Sequence, residues 1–282
     1  MNDLASASAP ATTANLGPGF DCLALALSLR CEVTARTSSE WVIEHVGTHG
    51  PEEGESDGVM RAARRAVGNT PLALKVDNRI PIAKGLGSSA AASVAGSAAA
   101  LRAIGEEATP DRVFRIATEL EGHADQAAAA VYGGLVLIPA EGLPMRLPIH
   151  PMLRPIVAVP PTRLPTADAR AVLPDTYPRD VTIRSLARMS SLTAGLITGD
   201  PGMLAASHGD EIHEEPRADL SPEVGDLIYL ARRAGALHAA RSGSGPSVIA
   251  IATVETADRV AAALAGWGAE VVDGPVDTVG LI

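Results

Sequence analysis

Hydrophobic positions along the 282-residue chain follow two periods, and the places where one gives way to the other mark out its elements. Leu23, Leu25, Leu27, Leu29, Cys31 and Val33 occupy every second position, which predicts one long half-buried strand or one bent into two. Leu72, Leu74, Val76 and Ile80 keep the same alternation. Ala91, Val94, Ala98 and Leu101 then recur at three- and four-residue steps, the period of a helix face. Helical spacing also covers Val59–Val67 and residues 109–122, where Val113, Ile116, Ala117 and Leu120 share a face behind Thr109 as N-cap and Pro110 at the first position. Trp41–Val46, Leu135–Pro139, Ile156–Val159 and Val248–Ala252 read as strands, and residues 47–57 as an exposed loop. Thr182–Ile197 and Pro201–Glu214 read as helices, and a closing helix over 255–265 precedes two short strands.

One junction in this pattern carries chemistry. Between the strand ending at Ile80 and the helix of Ala91 lies Pro81-Ile82-Ala83-Lys84-Gly85-Leu86-Gly87-Ser88-Ser89-Ala90. A glycine- and serine-rich turn opening directly into a helix gathers unpaired N–H groups at the positive end of the helix dipole, where an anion is favoured. Gly85 and Gly87 lack Cβ atoms, so a phosphate can approach the backbone. A Walker A loop is excluded because Lys84 precedes both glycines. Gly85-x-Gly87-x-x-Ala90 also matches a dinucleotide fingerprint, with Glu106 and Glu107 near its acidic position. Those acids, however, lie in a loop entering a helix and not at the end of a strand. A dinucleotide-dependent oxidoreductase therefore stays as the lesser reading.

Composition narrows the partners. Apolar residues make up 46% but aromatics only 2%, so the core must be built from Ala, Leu, Val and Ile. A formal net charge of −10 with dispersed Lys and Arg argues against nucleic acid, and so few aromatics leave no stacking platform for single strands. Cys22 and Cys31 fall on opposite faces of one strand and read as reduced core-type residues. No apolar run of membrane-spanning length and no signal peptide is seen, so a cytoplasmic location is expected. The proline-rich stretch 140–154 suggests a crossing between two domains, 1–148 and 149–282.

Pro81-x-x-x-Gly-Leu-Gly-Ser-Ser-Ala-Ala91 resembles the ATP-binding motif of the GHMP kinases. Ahead of it, Pro10-x-x-x-Ala14-Asn15-x-x-x-Gly19-Phe20-Asp21 is similar to the first motif of the homoserine kinase branch, and the early lysine of other branches is absent. Behind it, Arg241-Ser242-Gly243-Ser244-Gly245-Pro246-Ser247 resembles the third motif. Thr166-x-x-Ala169-Arg170 and Asp210-x-x-His213-x-x-x-Arg217 match two further segments of that branch. The resemblance implies an α+β, two-domain GHMP fold with its active site in the inter-domain cleft. It implies ATP-dependent phosphorylation of the L-homoserine hydroxyl, in threonine biosynthesis, with another GHMP small-molecule kinase as the nearer alternative.

The same resemblance assigns residues. Pro81, Lys84, Gly85, Leu86, Gly87, Ser88, Ser89 and Ala90 would hold ATP. Ser89 and Glu119, the latter preferred to Glu121, would hold Mg²⁺. Asn15, Asp21, Gln126, Arg170 and Arg217 would hold L-homoserine, Gln126 standing where the family has asparagine. Ser242, Gly243 and Gly245 would form the third-motif loop, and Asp21, Lys84 and Glu119 are the groups expected at the reaction itself. Asp57 takes the place of a family asparagine that helps to hold the base. Partners are then a small-molecule substrate, with no nucleic acid and no membrane, and a homodimer is the assembly allowed for.

Overall fold

The computed structural model describes residues 4–51 and 56–282, so the loop expected over 47–57 lies partly outside the described residues. Two sheets organise the chain. The first is built from β1 (Ala5–Asn15), β2 (Gly19–Thr37), β3 (Val42–His45), β4 (Leu72–Asn78), β5 (Leu135–Leu137) and β6 (Met145–Leu147). Its order is β3-β4-β2-β5-β6, with β1 paired antiparallel to β2 from Ala5 opposite Ala35 to Asn15 opposite Gly19. The alternation read in the sequence is one unbroken strand of 19 residues. Residues Leu23–Leu27 are buried on both faces, and Cys31, Val33 and Ala35 on one. Cys31 is buried and Cys22 exposed, both free thiols, as their parity requires.

Against this sheet lies α2 (Ser88–Ala103), in contact with α1 (Gly58–Val67), α3 (Pro110–Glu121), α4 (Asp125–Tyr132), β1 and β2. Its alanines explain that position. Ala90, Ala91, Ala95, Ala98, Ala99 and Ala100 are all fully buried, and small side chains let the neighbouring elements approach on every side. Asp57 caps α1 and Thr109 caps α3 by accepting hydrogen bonds from Met60 N and Arg112 N.

The second sheet has the order β10-β7-β9-β8 and is antiparallel throughout, with β7 (Leu153–Val159), β8 (His238–Arg241), β9 (Val248–Thr253) and β10 (Glu270–Asp273). Period-two alternation divides its residues between two cores. Val157, Val159, Ile249 and Ile251 join the main core with the first sheet. Ile156, Ala158, Val248 and Ala250 face α8 (Glu223–Arg233) and α9 (Ala257–Gly266). Between β7 and α8 come α5 (Thr166–Ala171), α6 (Arg179–Thr198) and α7 (Pro201–Ala206).

Two expectations are corrected here. The helix expected over Pro201–Glu214 ends at Ala206. Gly209 adopts φ +85°, and the Asp210 carboxylate accepts from the backbone N–H groups of His213 (2.6 Å) and Glu214 (3.0 Å), a local turn that replaces helical bonding. Among the described residues only one strand, β10, follows α9, and the chain then crosses back to the first sheet. Ser8 and Ile282 exchange backbone hydrogen bonds, Leu281 N donates to Val131 O, and Gly134 N donates to Asp277 O. Arg30 pairs with Asp277 and donates to the carbonyls of Ser8 (2.9 Å) and Gly280 (2.6 Å). Residues 274–282 thus pack with the first sheet, across the expected boundary at 148.

This strap is tightest at Gly280, where φ is +77° and a Cβ would collide with Val131 O and with Gly133 N, 2.6 Å away. Gly280→Ala should lower the unfolding free energy by about 2–4 kcal/mol, read from urea denaturation. Gly105→Ala, at φ +78° with nothing within 4 Å, should cost only about 1 kcal/mol.

Candidate active site

The loop between β4 and α2 turns by three left-handed residues, Ala83 (φ +57°), Gly85 (+77°) and Gly87 (+64°). Among the described residues no side chain caps α2, so its first amides point to a cavity of about 410 Å³ lined by Gly87, Ser88 and Ser89 on one side and by Asp57, His45 and Arg61 on another. The glycines have a further use that the sequence did not reveal. A Cβ on Gly85 would collide with Ser242 O and one on Gly87 with Thr12 Oγ1, so both glycines are demanded by packing of loop on loop.

Those loops are the three glycine-rich segments of the sequence, and they bond to one another. Ser242 Oγ donates to Gly85 O (2.7 Å) and lies 2.9 Å from Thr13 Oγ1. Gly243 N donates to Ala14 O (3.0 Å), Ser247 N to Lys84 O (3.2 Å) and Thr12 N to Leu86 O (3.0 Å). The segment from Ser242 to Ser247 is the turn of the β8–β9 hairpin, placed against the phosphate loop.

Next to the large cavity is a small hollow containing Asn15, Asp21, Arg170 and Arg217; His123, Gln126, Thr166 and Ser244 line both. Asn15 is a hinge between loops, donating from Nδ2 to Gly243 O (3.0 Å) and accepting from Asp21 N (3.0 Å). Arg170 binds Asp21 through both terminal guanidinium nitrogens (2.7 and 3.2 Å). The Phe20 ring stacks on His213 (5.1 Å between centroids) and lies under the guanidinium carbons of Arg170 (5.7 Å) and Arg217 (5.5 Å). Arg217 is buried, donating to Ala169 O (2.8 Å) and to His213 Nδ1 (2.9 Å). Burial, reinforced by Arg241 and Arg170, pushes Arg217 down to about 10, and it remains a cation at neutral pH. His123 Nδ1 donates to Asp125 Oδ1 (3.0 Å), and that partner raises its pKa against the opposing effect of burial.

Two expected residues are elsewhere. Ser89 Oγ donates to Glu121 (2.8 Å), as does Ser93 Oγ one turn on (2.8 Å). Glu119 instead pairs with Arg65 of α1 at the surface. Glu121, not Glu119, therefore faces the phosphate loop, because the two acids flank the buried stripe of α3 on opposite sides. Lys84 lines the cavity, but its Nζ is held by the carbonyls of Pro160 (2.8 Å), Pro161 and Thr162, to which it donates. It ties the loop to the end of β7, and is not placed as a reaction cation. Pro81, Leu86 and Gln126 line the cavity, with the Gln126 carboxamide against Gly243. Ala90 is buried in the first turn of α2. Asp57 accepts from Met60 N (2.9 Å) and lies 2.6 Å from His45 Nε2.

Of the residues gathered here, the sequence reading gives no role to Ser93, His123, Asp125, Thr166 or Ser244, and places Glu121 second to Glu119. Ser93 was legible as the residue four beyond Ser89 on the same helix face.

The chain matches two family profiles, GHMP kinases N terminal domain over residues 57–134 and GHMP kinases C terminal over residues 194–270. The homoserine kinase of Thermus thermophilus is 41% identical over 271 residues, covering 94% of this chain and 92% of that protein. The homoserine kinase of Moorella thermoacetica is 39% identical over 251 residues, covering 86% and 85%. Among solved structures, homoserine kinase from Cytophaga hutchinsonii superposes with a TM-score of 0.87 at 29% identity, over all of this chain and 98% of that one. Mevalonate kinase from Methanococcus jannaschii, at 14% identity and TM-score 0.72 over 97% and 98%, shares the fold.

The protonation of His213 can be read from its partners. Arg217 only donates and Gly17 O, 2.8 Å from Nε2, only accepts, so the ring is neutral with its proton on Nε2. Burial, then Arg217, holds its pKa down to about 3. In the unfolded chain it would titrate near 6.5. Its stabilisation is complete above that pH and is lost as pH falls towards 3. Glu214, pushed up to about 7 by burial, acts in the opposite sense over the same range. The difference in unfolding free energy between wild type and His213→Gln isolates the histidine, and should shrink by about 2 kcal/mol from about pH 7 to about pH 5. An unchanged difference would mean that His213 is not held neutral.

Proposed function

The chain belongs to the GHMP kinase family, and we propose that the hollow beside its nucleotide cavity is the amino-acid site of an ATP-dependent L-homoserine kinase, an enzyme that makes O-phospho-L-homoserine. The observation that carries this is the Asp21–Arg170 pair beside Arg217 in a hollow sharing one wall with the nucleotide cavity. An amino-acid zwitterion brings an ammonium for Asp21 and a carboxylate for the two guanidiniums. With both charged ends held there, a side-chain hydroxyl points to the shared wall of His123, Gln126, Thr166 and Ser244.

The reaction joins that hydroxyl oxygen to the γ-phosphorus of ATP, with ADP leaving and the hydroxyl proton released. Such a transfer depends on alignment and on charge neutralisation. The open amides of α2 and the backbone of Gly85–Ser88 would bind the phosphates. Ser89 and Glu121, two hard oxygen donors 2.8 Å apart at that helix terminus, fit Mg²⁺. When bound, the ion would neutralise charge on the phosphate oxygens. Asp21 orients the ammonium and is ill suited to act as a base. Among the described residues no helix is long and apolar enough to cross a membrane, and a cytoplasmic step of threonine biosynthesis is the setting that fits.

Homoserine should stimulate ADP release strongly, and mevalonate, galactose or serine should not; turnover indifferent to homoserine overturns the substrate. Glu121→Gln should lower kcat roughly 10²–10³-fold while Glu119→Gln stays within about twofold, and the reverse order would return the metal acid to Glu119. Arg217→Ala should raise the homoserine KM by roughly 2–5 kcal/mol of lost binding, with the ATP KM little changed. An unaltered homoserine KM would remove Arg217 from the substrate site.

A further inference from the structure

The first-motif loop makes an unusual turn. Asn15, Leu16 and Gly17 are successive left-handed residues, at φ +69°, +51° and +79°. Leu16 is fully buried, and leucine disfavours this conformation because its Cβ crowds the backbone. Three such residues in sequence persist only where surrounding groups hold them. The turn presents the Leu16 and Gly17 carbonyls to the protein interior, and each meets a buried histidine. His213 Nε2 lies 2.8 Å from Gly17 O, and His238 Nε2 lies 2.9 Å from Leu16 O. A carbonyl only accepts, so both rings carry their proton on Nε2.

We propose that His238, with His213, is a positioning residue of the amino-acid site: the two Nε2–H groups clamp the left-handed turn and thereby set Asn15 and Asp21. The inference rests on the substrate reading above. His238 belongs to β8 at the edge of the second sheet, a strand that continues into the third-motif loop. Its ring is fixed on every side that the structure shows. Ser207 Oγ lies 2.8 Å from Nδ1 and 2.7 Å from Leu204 O, so the two share its one proton, and the His208 ring stacks on the imidazole at 5.3 Å and 3°. Gly17 packs beneath it, a Cβ there lying 3.7 Å from the ring and 3.3 Å from Ala240 Cβ. Displacing Leu16 O would turn the peptide joining Leu16 to Gly17. Through Asn15, which binds Gly243 O and Asp21 N, that turn reaches the carboxylate facing Arg170. Burial holds His238 down to about 4, which accords with a neutral ring.

Glutamine can reproduce the Nε2–H of histidine, because its amide nitrogen sits at a similar reach; asparagine cannot, being one methylene shorter. The full chain should be assayed as wild type, His238→Gln and His238→Asn, with the KM for homoserine, the KM for ATP and kcat measured separately. His238→Gln should stay within about threefold of wild type in all three. His238→Asn should raise the homoserine KM at least about tenfold, with the ATP KM within about twofold. Equal behaviour of Gln and Asn, an unchanged homoserine KM, or equal loss in both KM values overturns the clamp. If His238→Asn does not fold, Ser207→Ala carries the test by releasing the ring. It should raise the homoserine KM about threefold and leave the ATP KM unaltered, and no change there overturns the clamp as well. A wild type indifferent to homoserine overturns the substrate reading and this inference with it. A responsive wild type with a normal His238→Asn overturns the inference alone.

Discussion

The structure depends on a contact between loops that are far apart in sequence. Gly85 of the phosphate loop, Ala14 of the first loop and Ser242–Gly243 of the third meet through backbone and hydroxyl hydrogen bonds, with no room for a Cβ on Gly85. Each loop belongs to a different strand end, so their meeting fixes how the first sheet sits on the second. It also fixes the distance between the nucleotide cavity and the amino-acid hollow, because Ser244 and Gln126 belong to the wall between them. Phosphoryl transfer rewards this kind of constraint, since small displacements of the two reactants cost rate steeply. Lys84 supports the same arrangement from the other side by holding the end of β7 with three carbonyl contacts.

Beneath this contact lies a buried set of charges that hydrophobic packing alone would not choose. Arg217 and Arg241 are both nearly inaccessible, and Glu214 accepts from Arg241 N within the same layer. Arg241 donates to Ser221 Oγ, and to Arg217 O at 3.2 Å. Taking such groups out of water is costly unless their hydrogen bonds are met. Most of them are met here, by neighbours that also shape the site. Asp210 uses one carboxylate oxygen to form the turn that presents His213, and its pKa is raised by burial, the turn amides opposing. The broken helix after Ala206 is thus the means by which Arg217 reaches the hollow. A continuous helix would have bonded the His213 and Glu214 amides to its own carbonyls, leaving the buried Asp210 carboxylate without them.

Much of this was legible in the sequence, for physical reasons that also explain the failures. Alternation in β2 and the glycine–serine junction before α2 are local signals, and local signals survive folding. Glu119 and Glu121 were not separable by such means. Leu120 lies on the buried stripe of α3, and its two neighbours project about 100° to either side of it. Which flank meets Ser89 depends on how α3 rolls against α2, and only the assembled core decides that. The strap of residues 274–282 has no periodicity to announce it, since it pairs through backbone groups at both ends of the chain. His238 was equally silent: a histidine in an apolar strand reads as core whether or not it holds a carbonyl of the site.

Gln126 shows how the constraint of the loops bears on chemistry. It stands near the start of α4, where the Asp125 carboxylate accepts from the Gln126 N–H at 2.8 Å and fixes the direction in which the side chain leaves the helix. From that fixed origin the carboxamide reaches Gly243, whose missing Cβ leaves the space that the amide nitrogen needs, 3.0 Å from where a Cβ would stand. An asparagine leaving the same point would end one methylene short of this loop. The longer residue and the open glycine therefore fit together, and the wall between the two cavities is closed by a side chain that leaves the helix beginning at Asp125 and touches the loop carrying Ser244. Substitution at either position alters the partition itself, and so the path along which a hydroxyl would meet the phosphate.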